Sequence, residues 1–144
     1  MKKIACFAVA FVCLQVSAAN WTPVTKDDQC FPWCVPPVEV DTASISMRNG
    51  LRQAWLRNNF LPAAVSGDGK NKAMKSAVSL NLFDCKNGEF STLQYVEYDD
   101  LFGRGVSGYS YSQTRSETVA AMQSTIPGSN GEVNARFVCA YPLK

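Results

Sequence analysis

Histidine is absent from all 144 residues. Its absence removes Ser-His-Asp and Cys-His catalysis, histidine general bases and the usual zinc hydrolase sites together. A basic cluster is missing too. Lys70, Lys72 and Lys75 come nearest, but they follow the turn Gly67-Asp68-Gly69 and read as a solvated strand entrance. Such a charge pattern carries no electrostatic footprint for nucleic acid. Beyond the N-terminus, no apolar run approaches the roughly 18 residues a spanning helix needs. Gly103-Arg104-Gly105 lacks the third glycine and the following helix of a dinucleotide fingerprint, and reads as a turn. There is no internal repeat or low-complexity tract, and no residue pattern calls for a cofactor or a metal.

What is present begins with the leader. Lys2-Lys3 precede a mostly apolar stretch from Ile4 to Val16, and Val16-Ser17-Ala18 supplies small residues before Ala19. This is the pattern of a secretory signal peptide over residues 1–18. Cys13 follows Ala10-Phe11-Val12, which puts a valine where a lipobox wants a small residue, so no lipobox is evident. The expectation is an exported protein, in the periplasm or on the outer surface. Without Lys2 and Lys3 the formal excess of +2 disappears and the mature chain is neutral.

Four cysteines remain after the leader: Cys30, Cys34, Cys85 and Cys139. In an exported chain they read as two disulfides, for which three connectivities exist. We favour Cys30–Cys34 with Cys85–Cys139. The longer loop, about 55 residues, would stabilise by about 4 kcal/mol and the shorter by about 2 on the chain-entropy account. A four-thiolate zinc site wants two close-spaced pairs, and here the second pair is widely split. Cys30 and Cys34 lie in an arm over residues 19–37 that carries Pro23, Pro32, Pro36 and Pro37. A redox pair usually has two intervening residues at a helix N-terminus; three residues in a proline-rich arm fit a structural clip better.

From Val38 onward the signals turn to β. Val38 and Val40 alternate with acids, a polar corner follows at Asp41-Thr42-Ala43-Ser44, and Ile45 to Arg48 meets the hairpin dipeptide Asn49-Gly50. Leu51 to Phe60 reads as a strand ended by Leu61-Pro62. Val78, Leu80 and Leu82 alternate with Ser79 and Asn81, the period of a half-buried strand. Cys85 belongs to the end of that central strand, Asn87-Gly88 makes a second hairpin, and Phe90 to Tyr98 answers it. Val106 to Tyr111 predicts another strand. Residues 115–124 contain helix formers without a clear cap. Ser129-Asn130-Gly131-Glu132 has the capping-box pattern, with Val133, Phe137 and Ala140 at helical spacing behind it.

Two features invite a functional reading. Asp99-Asp100 is a carboxylate pair, but neighbours at a strand end point apart and no further calcium ligands follow, so it reads as a solvated turn. The aromatics Tyr95, Tyr98, Phe102, Tyr109 and Tyr111 are either core and cross-strand pairs or a partner-facing patch beside the 99–105 loop. On the second reading the candidate contacts are Tyr98, Asp99, Asp100, Phe102, Arg104, Tyr109 and Tyr111.

Three ordered segments carry a resemblance: Val40-Asp41-Thr42-Ala43-Ser44-Ile45 through Trp55; Leu82-Phe83-Asp84-Cys85 with its hairpin; and Pro127-Gly128-Ser129 through Val138-Cys139. With Tyr98-Asp99-Asp100-Leu101-Phe102-Gly103-Arg104-Gly105 between them, the chain resembles the surface-adhesin protein E family of Gram-negative bacteria over residues 38–141. The resemblance implies an α+β fold: a twisted antiparallel sheet of about six strands with a C-terminal helix packed on it, clamped by Cys85–Cys139. It implies a non-catalytic module that binds host matrix or serum proteins, and it allows a homodimer. The arm with Cys30 and Cys34 stands outside that pattern, which sets the domain at 38–144. A periplasmic module binding a small ligand, an envelope component or an enzyme is the alternative, and a thiol oxidoreductase using Cys30 and Cys34 is a third.

Overall fold

A computed structural model describes residues 18–24 and 38–143. The expected leader and the Cys30–Cys34 clip lie outside the described residues. The frame is made by three long strands, β4 (Leu51–Val65), β5 (Ala73–Asp84) and β6 (Glu89–Tyr98), all antiparallel. The short strands β1 (Trp21–Pro23) and β2 (Glu39–Asp41) extend one edge and β7 (Ser107–Ser112) the other. The continuous path is β1-β2-β4-β5-β6-β7. β3 (Ser46–Arg48) also pairs with β4, and β8 (Gln123–Ser124) with β6. The helices are α1 (Arg115–Ala120) and α2 (Asn130–Ala140). The expected six-strand sheet with a packed C-terminal helix is therefore present.

Local chemistry explains most boundaries. Asn49 (φ 52°) and Gly50 (φ 77°) form the two-residue loop between β3 and β4, both in the left-handed region that this hairpin turn requires. The expected stop at Leu61-Pro62 is corrected: β4 runs on to Val65. Its pairing with β5 breaks between Asn59 and Ala64, and Pro62 sits in that interval, where its missing N–H breaks no ladder bond. Cys85 is in the turn after β5, not in the strand. That turn is organised by Asp84, whose carboxylate accepts from the amides of Lys86 (3.0 Å) and Asn87 (3.1 Å). The arm expected over 19–37 gives the sheet a strand, since Trp21 pairs with Asp41 and Val24 N donates to Val38 O.

β5 is buried on both faces, which corrects the simple alternation. Ser79 and Asn81 are buried whereas Val78 and Leu80 are only half-buried. On one face Val40, Ala54, Leu56 and Phe83 meet Ala135 and Val138 of α2 to form the core. α2 turns Asn134, Ala135 and Val138 inward, the i, i+1, i+4 row, while Ala140 is exposed and Val133 half-exposed. Of the expected Val133–Phe137–Ala140 face, Phe137 does pack against this core, half-buried, while the inward row is shifted to Asn134, Ala135 and Val138. Two ties fix this orientation. Cys85 and Cys139 are joined, with Cα atoms 5.5 Å apart, and Arg52 donates to the carbonyls of Val138 and Tyr141 at the helix end.

The caps also differ from expectation. Ser129 accepts from Glu132 N, but the Glu132 carboxylate returns to Gly128 N (2.7 Å), one residue upstream of the reciprocal box. The complete box belongs to α1, where Thr114 and Glu117 cap one another.

Candidate functional site

β4 and β5 place Asn59 directly opposite Ser76, and both side chains are fully buried on the face away from α2. Polar groups buried there need partners, and the 99–105 loop supplies them to Asn59 Oδ1 and Ser76 Oγ, while Asn59 Nδ2 has none among the described residues. Phe102 N donates to Asn59 Oδ1 (2.7 Å), Gly103 N donates to Ser76 Oγ (2.9 Å), and Ser76 Oγ donates to Asp100 O (2.5 Å). Asp99 Oδ1 accepts from Val106 N (2.7 Å) and Asp100 Oδ1 from Leu101 N (2.8 Å). Both carboxylates thus organise the loop's own backbone, and the solvated-turn reading becomes a pinned turn. Gly103 has φ 66°, and a Cβ there would fall 2.6 Å from Val78 Cγ2, so only glycine allows this approach to the sheet.

The pinned loop holds Phe102 itself in the left-handed region (φ 62°), with the residue 37 % exposed. Two guanidinium groups flank that ring: Arg57 at 5.2 Å and Arg104 at 5.5 Å from the centroid. Arg57 also lies 4.4 Å over the Trp21 ring, donates to Phe102 O (3.2 Å) and pairs with Glu39 (2.7 Å). Trp21, Arg57, Phe102 and Arg104 therefore form one ladder of alternating ring and cation, and Glu39 fixes its middle rung.

The tyrosines separate into two groups. Tyr98 pairs with Ser76 and stands on the loop face. Tyr95 pairs with Ser79 on the α2 face, with Tyr111 opposite it across the β6–β7 ladder. The rings of Tyr95 and Tyr111 stack at 5.5 Å, and Tyr109 closes the triangle at 6.0 and 6.5 Å. All three are half-buried around Glu97, itself 5 % exposed and held by Ser66 Oγ (2.8 Å), Gly67 N (3.1 Å) and Tyr95 OH (3.2 Å). Burial first, and then the Glu97 charge, push the Tyr95 hydroxyl far above its ordinary value, so it stays a donor.

The proposed contacts are therefore not one patch. Tyr98, Asp99, Asp100, Phe102 and Arg104 gather on the loop face; Tyr109 and Tyr111 belong to a packed cluster on the other. Sequence reasoning missed Trp21, Glu39, Arg57, Asn59 and Ser76. The available signal was Asn58-Asn59 and Ser76, polar residues placed inside strands that otherwise carry apolar ones. Among the described residues, no group of three or more histidine, cysteine or acidic side chains is placed to hold a metal ion, and no helix is long and apolar enough to cross a membrane.

No curated protein sequence matches the chain. Solved structures do. The crystal structure of protein E from non-typeable Haemophilus influenzae superposes with a TM-score of 0.56 at 15 % identity, covering 83 % of this chain and 75 % of that one. A selenomethionine form of Haemophilus influenzae protein E gives 0.55 at 16 % identity, covering 83 % and 85 %. At such identities the likeness shows the fold. The profile of the family described as Surface-adhesin protein E matches residues 21–140, so it takes in Trp21 and the stretch read above as a separate arm. The chain belongs to the surface-adhesin protein E family.

Proposed function

We propose that this chain is an exported, non-catalytic binding module that meets host matrix or serum proteins at the bacterial surface. The observation that supports it most is the ring of Phe102, held out by a loop with four hydrogen bonds to buried or backbone partners and flanked by Arg57 and Arg104. Aromatic and arginine side chains dominate binding energy at protein interfaces, and fixing them beforehand lowers the ordering entropy of association. Family membership supports the same reading. Cys30–Cys34 acts in it as a structural clip, not a redox centre.

Two measurements test the proposal together. Immobilised host matrix and serum proteins should retain the mature chain, and Phe102→Ala should weaken that binding at least tenfold. Intact cells treated with protease or labelled antibody should lose or display the protein. Protection until lysis would place it in the periplasm and end the surface reading; light scattering on the same preparation reports whether it dimerises.

A further inference from the structure

The sheet ends differently at its two edges. β1 spans three residues and contains Pro23, which has no N–H to offer a ladder. Shortness and proline are among the means by which natural sheets keep an edge from recruiting another chain. β7 spans six residues and has neither proline nor a charged side chain, and residues 105–114 as a whole carry no charge. No strand lies beyond it on the path. The irregularity in its pairing, between Val96 and Tyr98, affects its first half and leaves residues 110–112 regular.

The register tells which of its backbone groups are open. Gln113 N donates to Leu93 O (2.9 Å), so these two form a hydrogen-bonded pair of the antiparallel ladder. Bonded and non-bonded pairs alternate, and Tyr111 opposite Tyr95 is the next bonded pair. Ser110, opposite Val96, and Ser112, opposite Gln94, therefore turn their N–H and C=O groups away from β6. Both serines are exposed, and no described residue bonds to these outward groups. A groove of about 370 Å³ lies here, lined by Gln94, Val96, Ser110, Tyr111 and Ser112. A second, of about 230 Å³, continues past Tyr111 and Gln113 to Phe90.

We propose that β7 takes up an extended, uncharged segment of a partner protein as one further strand of the sheet. Ser110 and Ser112 offer two donors and two acceptors at a spacing that another strand matches residue for residue. The partner residue opposite Tyr111 falls on the α2 face, beside the stacked Tyr95 and Tyr111 rings and the groove toward Phe90, and an apolar or aromatic side chain fits it. Its two neighbours fall on the loop face beside Ser110 and Ser112, where small hydroxyl side chains fit. A charged side chain would find no counter-ion along residues 105–114. Two folded copies meeting at so short an open edge would bury far less than the roughly 800 Å² per partner of a stable interface; a flexible segment follows the edge and both grooves. The inference rests on the protein-binding reading for its class of partner. It uses a different place, since Phe102 lies against Arg57 of β4, on the far side of β5 and β6.

Amide exchange followed by NMR tests it, with the mature chain and a blocked heptapeptide of serine and threonine around one central phenylalanine as the probe. At millimolar peptide the Ser110 and Ser112 amides should exchange at least threefold more slowly, while the Tyr111 amide, already bonded to β6, stays unchanged. Ser110→Pro removes an outward donor and no bond to β6; it should melt like the parent and lose the slowing at Ser112. Should it fail to fold, Ser112→Pro is read at Ser110 instead. The same peptide with glutamate or lysine in place of phenylalanine should have no effect. Phe102→Ala should leave the slowing intact even where it abolishes retention by host proteins, so the two readings fail separately. Unchanged exchange with the peptide present overturns the proposal, as does a slowing that survives proline or is matched by the charged peptides. Slow exchange at both serines without peptide, deepening with protein concentration, would give the edge to a second copy and overturn it too.

Discussion

Phe102 combines two properties that substitution can separate: a left-handed backbone and an exposed ring. The backbone costs a non-glycine residue about 1–2 kcal/mol, and glycine would lift that while losing about 0.5–1 kcal/mol in chain entropy. Two exposed cation–π contacts contribute about 0.5–1 kcal/mol each. These terms nearly cancel, so Phe102→Gly should change the stability measured by urea denaturation by no more than about 1 kcal/mol. An interface anchor is worth about 2 kcal/mol or more, roughly thirtyfold in affinity. Phe102→Gly should therefore abolish partner retention in a protein that melts almost normally. A large fall in stability with binding intact would show the ring to be structural. Arg57 could not be used this way, because it also holds Glu39 and covers Trp21.

Both helices are held by a carboxylate at the N-terminal end, and α2 also by a covalent bond near its other end. Glu117 is lowered from its ordinary 4.5 chiefly by hydrogen bonds from Thr114, and Glu132 chiefly by the Gly128 amide. A depressed carboxylate contributes stability above its unfolded value and loses it as pH falls through the folded one. Glu117→Gln, which mimics the protonated side chain, should lower the melting temperature at neutral pH and match the parent in strong acid. A difference that persists in acid would assign the effect to something other than the charge. At the far end of α2, Cys139→Ala should cost about 2–5 kcal/mol in denaturant titrations. Cys34→Ala should cost much less; equal losses would deny the helix clamp its greater weight. These elements also show what a one-dimensional reading can reach. The α2 cap was visible because Ser129 and Glu132 stand at the right spacing, yet the same spacing at Thr114 and Glu117 went unread beside a short helix with little apolar periodicity. The burial of Ser79 and Asn81 was hidden because alternation reports one covered face, and β5 has two.

At the scale of the molecule, the sheet and its clamp were legible because long-range order left local marks: Asn49-Gly50, the β5 run, and a cysteine near each end of the closed loop. The division of the site was not. Whether Tyr98 and Tyr109 share a face depends on the β6–β7 register, which shifts between Val96 and Tyr98, and the intervening loop does not encode that shift. Arg57 joined the site through a pairing with Glu39 across β2 and β4 that no spacing announces. The disulfide has a further effect if the protein holds a host surface against flow. Cys85 and Cys139 stand 54 positions apart, so a pull on the two ends of the chain cannot draw out the segment between them. About 190 Å of extensible length is withheld. In a single-molecule stretching experiment the oxidised chain should lengthen by that much less than the reduced one. All of β6, the loop that carries Phe102, β7, α1, β8 and most of α2 would then bear no tension while the rest of the molecule is pulled straight.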